Sequence, residues 1–210
     1  MNHVENKRAL TSSNIVKIAL LSAISFILTL PGFRWDLPTL FPHFLSMDFS
    51  DLPAILGLVL MGPVPAVWIA ALKNVLDVAI TGTASAGIGP FANFLVATAY
   101  ILSMGYVIAR IKGFKGIIIG AIIATIITTI MASILNYTIL VRAYAFVFGV
   151  DIEVFVEVAR VINPAITSFE RLIALSIAPF NLFKFGLVSI AFIILYKAME
   201  LRTNLINKRG

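Results

Sequence analysis

Cysteine is absent from the 210 residues, which excludes disulfides, thiolate metal sites and a cysteine nucleophile. The two histidines, His3 and His43, are too few and too far apart for a metal cluster, so no metal site and no metalloenzyme are expected. Charge is scarce, at 12% of residues against 60% hydrophobic. The small-residue stretch 81–89, TGTASAGIG, lacks the GK[ST] ending of a P-loop, and no nucleotide site is visible elsewhere. Paired carboxylates at membrane depth are also missing, because only Asp77 lies inside an apolar segment. An intramembrane enzyme therefore has no constellation to work with.

What remains is apolar sequence. A mean hydropathy of +1.01 belongs to a polytopic membrane protein with no room for a separate soluble domain. The net charge of +6 does not point to nucleic acid, since the basic residues stand at the ends of apolar segments, where they act as topology signals. Membrane helices are predicted at about 14–30, 52–62, 66–80, 90–109, 116–140 and 172–198. The expected fold is an all-α integral membrane protein, one six-helix domain over 1–210.

The first segment reads as a retained helix rather than a signal peptide, capped by Ser12 or Ser13 and ended by Pro31. Ala19 and Ala23 share one of its faces and let a second helix approach closely. Residues 31–50, with Pro31, Pro38, Pro42 and several aromatics, form a loop that is either an aromatic belt at the interface or a lid over a cavity. Ser50 and Asp51 precede Pro53 and read as a helix N-cap. In the third segment Lys73 and Asp77 stand four apart, a spacing that favours a neutralising ion pair over ligand contact.

The last segment carries the most informative residues. Lys184 lies near its middle, where a lysine costs roughly 2.5–3.5 kcal/mol to insert. It must face a polar cavity or pair with a carboxylate. Asn181, three residues earlier, shares its face. Asn136, near the far end of the fifth segment, either joins helices or converges with Asn181 on a ligand. Residues 142–171 read as a surface excursion with an amphipathic turn.

Six spans put both termini on one side. On that side lie Lys7, Arg8, Lys17, Arg110, Lys112, Lys115, Lys197, Arg202, Lys208 and Arg209, against Arg34, Arg142, Arg160 and Arg171 opposite, which predicts N-in and C-in. A cavity between the far ends of segments five and six then opens to the exterior.

Several stretches resemble the riboflavin-specific substrate-binding subunits (S components) of energy-coupling factor (ECF) transporters. They are Leu45-Ser46-Met47-Asp48-Phe49-Ser50-Asp51-Leu52-Pro53, Met61-Gly62-Pro63, Ala71-Leu72-Lys73-Asn74-Val75-Leu76 and Gly89-Pro90-Phe91-Ala92-Asn93-Phe94-Leu95. Ser133-Ile134-Leu135-Asn136-Tyr137 and Pro179-Phe180-Asn181-Leu182-Phe183-Lys184 complete the set, in order along nearly the whole chain. The resemblance implies a six-helix bundle that binds riboflavin from outside without an enzymatic step and without a cofactor. It assigns ligand contacts to Asn136, Asn181 and Lys184, with the first loop closing over the ligand around Phe44, Leu45 and Met47. It assigns Ala19 and Ala23 to docking on the coupling transmembrane subunit, which works with two ATP-binding-cassette ATPases in the plasma membrane of a prokaryote. It assigns no role to residues 142–171. FMN or another vitamin is the alternative ligand, and a non-transporting membrane adaptor the alternative class.

Overall fold

The computed structural model describes residues 11–83 and 85–207. His3, Lys7, Arg8, Lys208 and Arg209 lie outside the described residues, as do Ala84 and the side chain of Arg202. Nine α-helices carry the described chain: α1 Ser12–Ile27, α2 Leu52–Met61, α3 Pro63–Leu76, α4 Ile88–Arg110, α5 Gly113–Leu135, α6 Val141–Phe148, α7 Ile152–Ile162, α8 Phe169–Leu172 and α9 Ala178–Asn207. Two short strands, β1 Trp35–Asp36 and β2 Ser46–Met47, pair antiparallel within the first loop, Trp35 opposite Met47. The described residues are all-α but for this ladder.

Four continuous helical stretches are long and apolar enough to cross a bilayer: Pro63–Thr81, Ile88–Arg110, Gly113–Phe148 and Phe169–Leu201. α1 and α2 are apolar but shorter, at 16 and 10 residues. One core joins them to the rest through Ile18 and Leu21 of α1, Ile55 and Leu58 of α2, Ile69 of α3, Tyr100 and Met104 of α4, Ala124 of α5, and Phe185, Val188 and Phe192 of α9. Inside it, Tyr100 Oη and Ser189 Oγ lie 2.6 Å apart and Thr125 Oγ1 reaches the same hydroxyl at 2.9 Å, tying α4, α5 and α9 together.

Helix ends differ from the expectation in instructive ways. Thr11, not Ser12 or Ser13, caps α1, its hydroxyl accepting from Asn14 N, and that helix stops at Ile27, before Pro31. α2 and α3 meet at Gly62, whose φ of +98° makes the reversal possible in a single residue. Pro63 and Pro65 sit in the first turn of α3, where no N–H donor is needed, so the helix begins at Pro63 rather than at 66. Pro90 likewise lies inside the first turn of α4.

The fifth segment does not end at 140. A π-helical turn, Asn136–Leu140, carries it into α6 up to Phe148. Two more π turns, Asp77–Thr81 after α3 and Ile173–Ile177 before α9, stand at the same end of the bundle. The widened i→i+5 turn is rare and concentrates at functional sites. Residues 142–171 thus divide into the tail of a membrane helix, the amphipathic α7 and a short return through α8, which pack on one another around Val141, Val156, Ala159, Ile166 and Leu172.

Candidate substrate site

Beside these π turns lies a cavity of about 420 Å³, within the range of roughly 300–1,000 Å³ used for small molecules. Asn136, Asn181 and Lys184 all line it, so the structure brings together the three polar residues singled out in the sequence. Asn136 stands at the start of its π turn and donates from Nδ2 to the Ala132 carbonyl at 2.8 Å. Asn181 does the same to Ile177 at 2.8 Å. An amide has two donors and an acceptor, so each keeps Oδ1 and one N–H without a partner among the described residues.

The first loop covers the cavity. Phe44, Leu45 and Ser46 line it, and Phe44 sets its ring edge-on to Phe155 of α7, centroids 5.5 Å apart. Met47 does not line the cavity; its side chain is buried with Phe41 and Phe180, where it pins the loop to α9. Phe41 and Phe180 meet edge-on at 5.3 Å. Of the two readings of the loop, lid and aromatic belt, this placement supports the lid.

The charges are arranged differently from the sequence expectation. Lys73 does not pair with Asp77. Its ammonium lies 2.6 Å from Asp51 Oδ1 and 3.0 Å from Ser50 Oγ, with only 2% of the residue exposed. Asp77 begins a π turn and receives the Thr81 hydroxyl at 2.9 Å, while the loop's return brings Asp51 to Lys73 across the α2–α3 packing. Asp51 consequently makes no side-chain cap for α2, although it occupies the N-cap position.

Asp48 is the residue that sequence reasoning missed. Its Oδ1 accepts from the Ser50 backbone N–H at 2.9 Å and from the Ser50 hydroxyl, and its Oδ2 faces Lys184 Nζ at 3.4 Å. Asp51, Lys73, Ser50, Asp48 and Lys184 therefore form one buried polar chain from α3 through the loop to α9. Burial opposes the charge on Asp48, but Lys184, Lys73 and Ser50 outweigh it and hold the carboxyl well below the usual carboxylate range. A count of ionisable groups was the available signal. Two lysines at membrane depth require two carboxylates, and Asp48 and Asp51 flank Ser50 in one short stretch.

Lys184 has three donors and one long ionic contact. The remaining donors, the two amides and the apolar side chains of Phe44, Val96, Phe180 and Phe185 form a site for a flat, polar-edged molecule. Of the charged groups along the lining, Asp51 is matched by Lys73 and Asp48 by Lys184, which leaves Asp77 and Arg34 outside these ion pairs. The site therefore carries no cation in excess for an anionic ligand.

Comparison with known proteins places the chain in a family. Residues 13–196 match the family described as ECF transporter, substrate-specific component. The riboflavin transporter RibU of Staphylococcus aureus (strain TCH60) is 35% identical over 199 residues, 95% of this chain and 93% of that protein. The riboflavin transporter FmnP of Bacillus subtilis (strain 168) is 30% identical over 185 residues, 87% of this chain and 89% of that protein. A solved structure, reported under the heading "Structure and mechanism of the S component of a bacterial ECF transporter", superposes with a TM-score of 0.71 at 32% identity, covering 91% of this chain and 97% of that one. The match over most of the chain makes this multi-pass membrane protein a member of the substrate-specific components of ECF transporters, a transport subunit and not an enzyme.

Proposed function

We propose that the chain is the riboflavin-binding subunit of an ECF importer, a single six-span domain with both termini inside, in the plasma membrane of a prokaryote. The observation that carries the ligand assignment is the convergence of Asn136, Asn181 and Lys184 on one cavity. The names of the relatives point to the same ligand. Riboflavin is a neutral tricycle with a carbonyl-rich edge and a hydroxylated side chain. Lys184 donates to an oxygen of that edge, and the amides both donate and accept. Phe44 and Leu45 close over it while Met47 anchors the loop. The vitamin is cargo and takes no part in catalysis.

The charge distribution supports the orientation. Arg110, Lys112 and Lys115 stand at the α4–α5 junction, at the end of the bundle opposite the cavity, and Arg34 lines the cavity itself. The site then opens outward. Ala19 and Ala23 are exposed on α1 beside Ile15, Val16 and Leu20, as docking on a coupling transmembrane subunit requires. Two ATP-binding-cassette ATPases supply the energy, and the loaded subunit reorients against its partner to release riboflavin inward.

Titrating purified protein in detergent with riboflavin, FMN and thiamine tests the ligand. Flavin fluorescence is expected to be quenched by riboflavin binding, with thiamine without effect and FMN weaker because the one lysine in the cavity, Lys184, is already matched by Asp48 and does not neutralise a phosphate dianion. Equal or tighter binding of FMN would make the phosphate ester the cargo, and no quenching by either flavin would refute the assignment.

A further inference from the structure

α7, the part of residues 142–171 to which the sequence assigned no role, has three distinct sides. At about 100° per residue, Ile152, Phe155, Val156, Ala159 and Ile162 fall on one stripe, and it faces the protein, with Val156 and Ala159 buried. Glu153, Glu157 and Arg160 form a second stripe, all exposed. Val154, Val158 and Val161 form a third, 42%, 41% and 86% exposed, roughly a quarter turn round from the charges.

A helix surrounded by water has no use for the third stripe, and one surrounded by acyl chains cannot keep the second. Both are satisfied together where the helix lies flat at the membrane surface. The chain favours that position. α7 follows the membrane helix ending at Phe148 after only the turn 149–151, where Gly149 at φ +64° reverses the backbone. Phe146, one turn before, is 88% exposed on the same membrane helix, so the chain enters α7 from a segment whose exterior is apolar. With 11 residues α7 extends about 16 Å and carries three exposed charged residues, Glu153, Glu157 and Arg160, which keep it from crossing the acyl region.

We infer that α7 is seated in the membrane–water boundary on the side where the cavity opens, its Val154, Val158 and Val161 stripe in the acyl chains and its Glu153, Glu157 and Arg160 stripe in the headgroups and water. The inner stripe then acts as a lipid-supported wall for the lid, because Phe155 carries Phe44 and Leu45 packs beside it. This rests on the membrane assignment of the bundle and not on the identity of the ligand.

The absence of cysteine makes a direct test simple. Val154→Cys, Val158→Cys, Val161→Cys, Glu153→Cys and Glu157→Cys are made singly in the full chain, spin-labelled, and reconstituted in phosphatidylcholine–phosphatidylglycerol vesicles. Collision with oxygen relative to a water-soluble nickel complex is expected to be several-fold higher at the valine positions than at the glutamate positions. Equal nickel access at all five positions would overturn the inference. As a second measurement, Val158→Trp in a Trp35→Phe, Trp68→Phe background is expected to lose fluorescence to acyl-chain-brominated lipids, and an unquenched signal counts against the lipid seat. Riboflavin quenching on the same samples bears on the ligand alone, so the two readings fail separately.

Discussion

Lys184 Nζ stands 3.4 Å from Asp48 Oδ2, while the other oxygen of that carboxylate is held by Ser50. An ammonium on a membrane helix is thus neutralised by a residue of the lid, not by a neighbouring helix. The loop that sets Phe44 and Leu45 against the cavity thus also carries the counter-charge of Lys184.

Removing the ammonium is expected to cost affinity and, because it leaves the buried Asp48 carboxylate without its ionic partner, some stability as well. Lys184→Ala and Asn181→Ala are each expected to weaken riboflavin binding by at least about tenfold, because a hydrogen bond to a charged group contributes about 1.5–3 kcal/mol and an orphaned buried partner costs a similar amount. Isothermal titration in detergent reads this, and unchanged affinity in both variants rejects the site.

Asp48 makes stability depend on pH with a defined sign. Its folded carboxyl titrates below its unfolded value, so the stabilisation is complete above about pH 4 and is lost as pH falls further. The melting temperature of the wild type is expected to drop more steeply below pH 4 than that of Asp48→Asn. Parallel curves would show that the lid carboxylate is not stabilised by its partners.

The second buried pair should behave as a structural element. Asp51→Ala leaves Lys73 charged and unpaired, and is expected to destabilise by about 3–5 kcal/mol, whereas Lys73→Met with Asp51→Leu recovers most of that loss. Thermal unfolding followed by tryptophan fluorescence separates the two. A single variant as stable as the wild type would mean that the 2.6 Å contact adds nothing.

The exposed alanines of α1 allow transport to be separated from binding. Ala19→Trp is expected to abolish uptake in cells and co-purification of the coupling subunit while leaving the riboflavin affinity within about twofold, because the position faces away from the core. Normal uptake would remove Ala19 from the docking face.

Hydropathy and the spacing of Lys184 with Asn181 were legible without coordinates because both are local: a span is a run of apolar residues, and residues three apart share a helix face. Helix ends were less so. Pro63 and Pro65 precede the third segment expected from residue 66, yet both sit inside the first turn of α3, where no donor is needed. The π turns left no sequence signal that hydropathy detects, and one of them places Asn136 at the cavity.

Residue order alone specifies an apolar all-α chain, the six places where it tends to cross or enter a bilayer, and a polar trio that membrane insertion would not tolerate without partners. It does not say who those partners are. Lys73 could reach Asp77 by helical spacing, but only the packed bundle, folding the loop back between α2 and α9, sets Asp51 against Lys73 and Asp48 against Lys184. Ion pairs between distant segments depend on where the loop comes to rest, and that position is settled by burying Phe41, Met47 and Phe180 together rather than by any spacing along the chain.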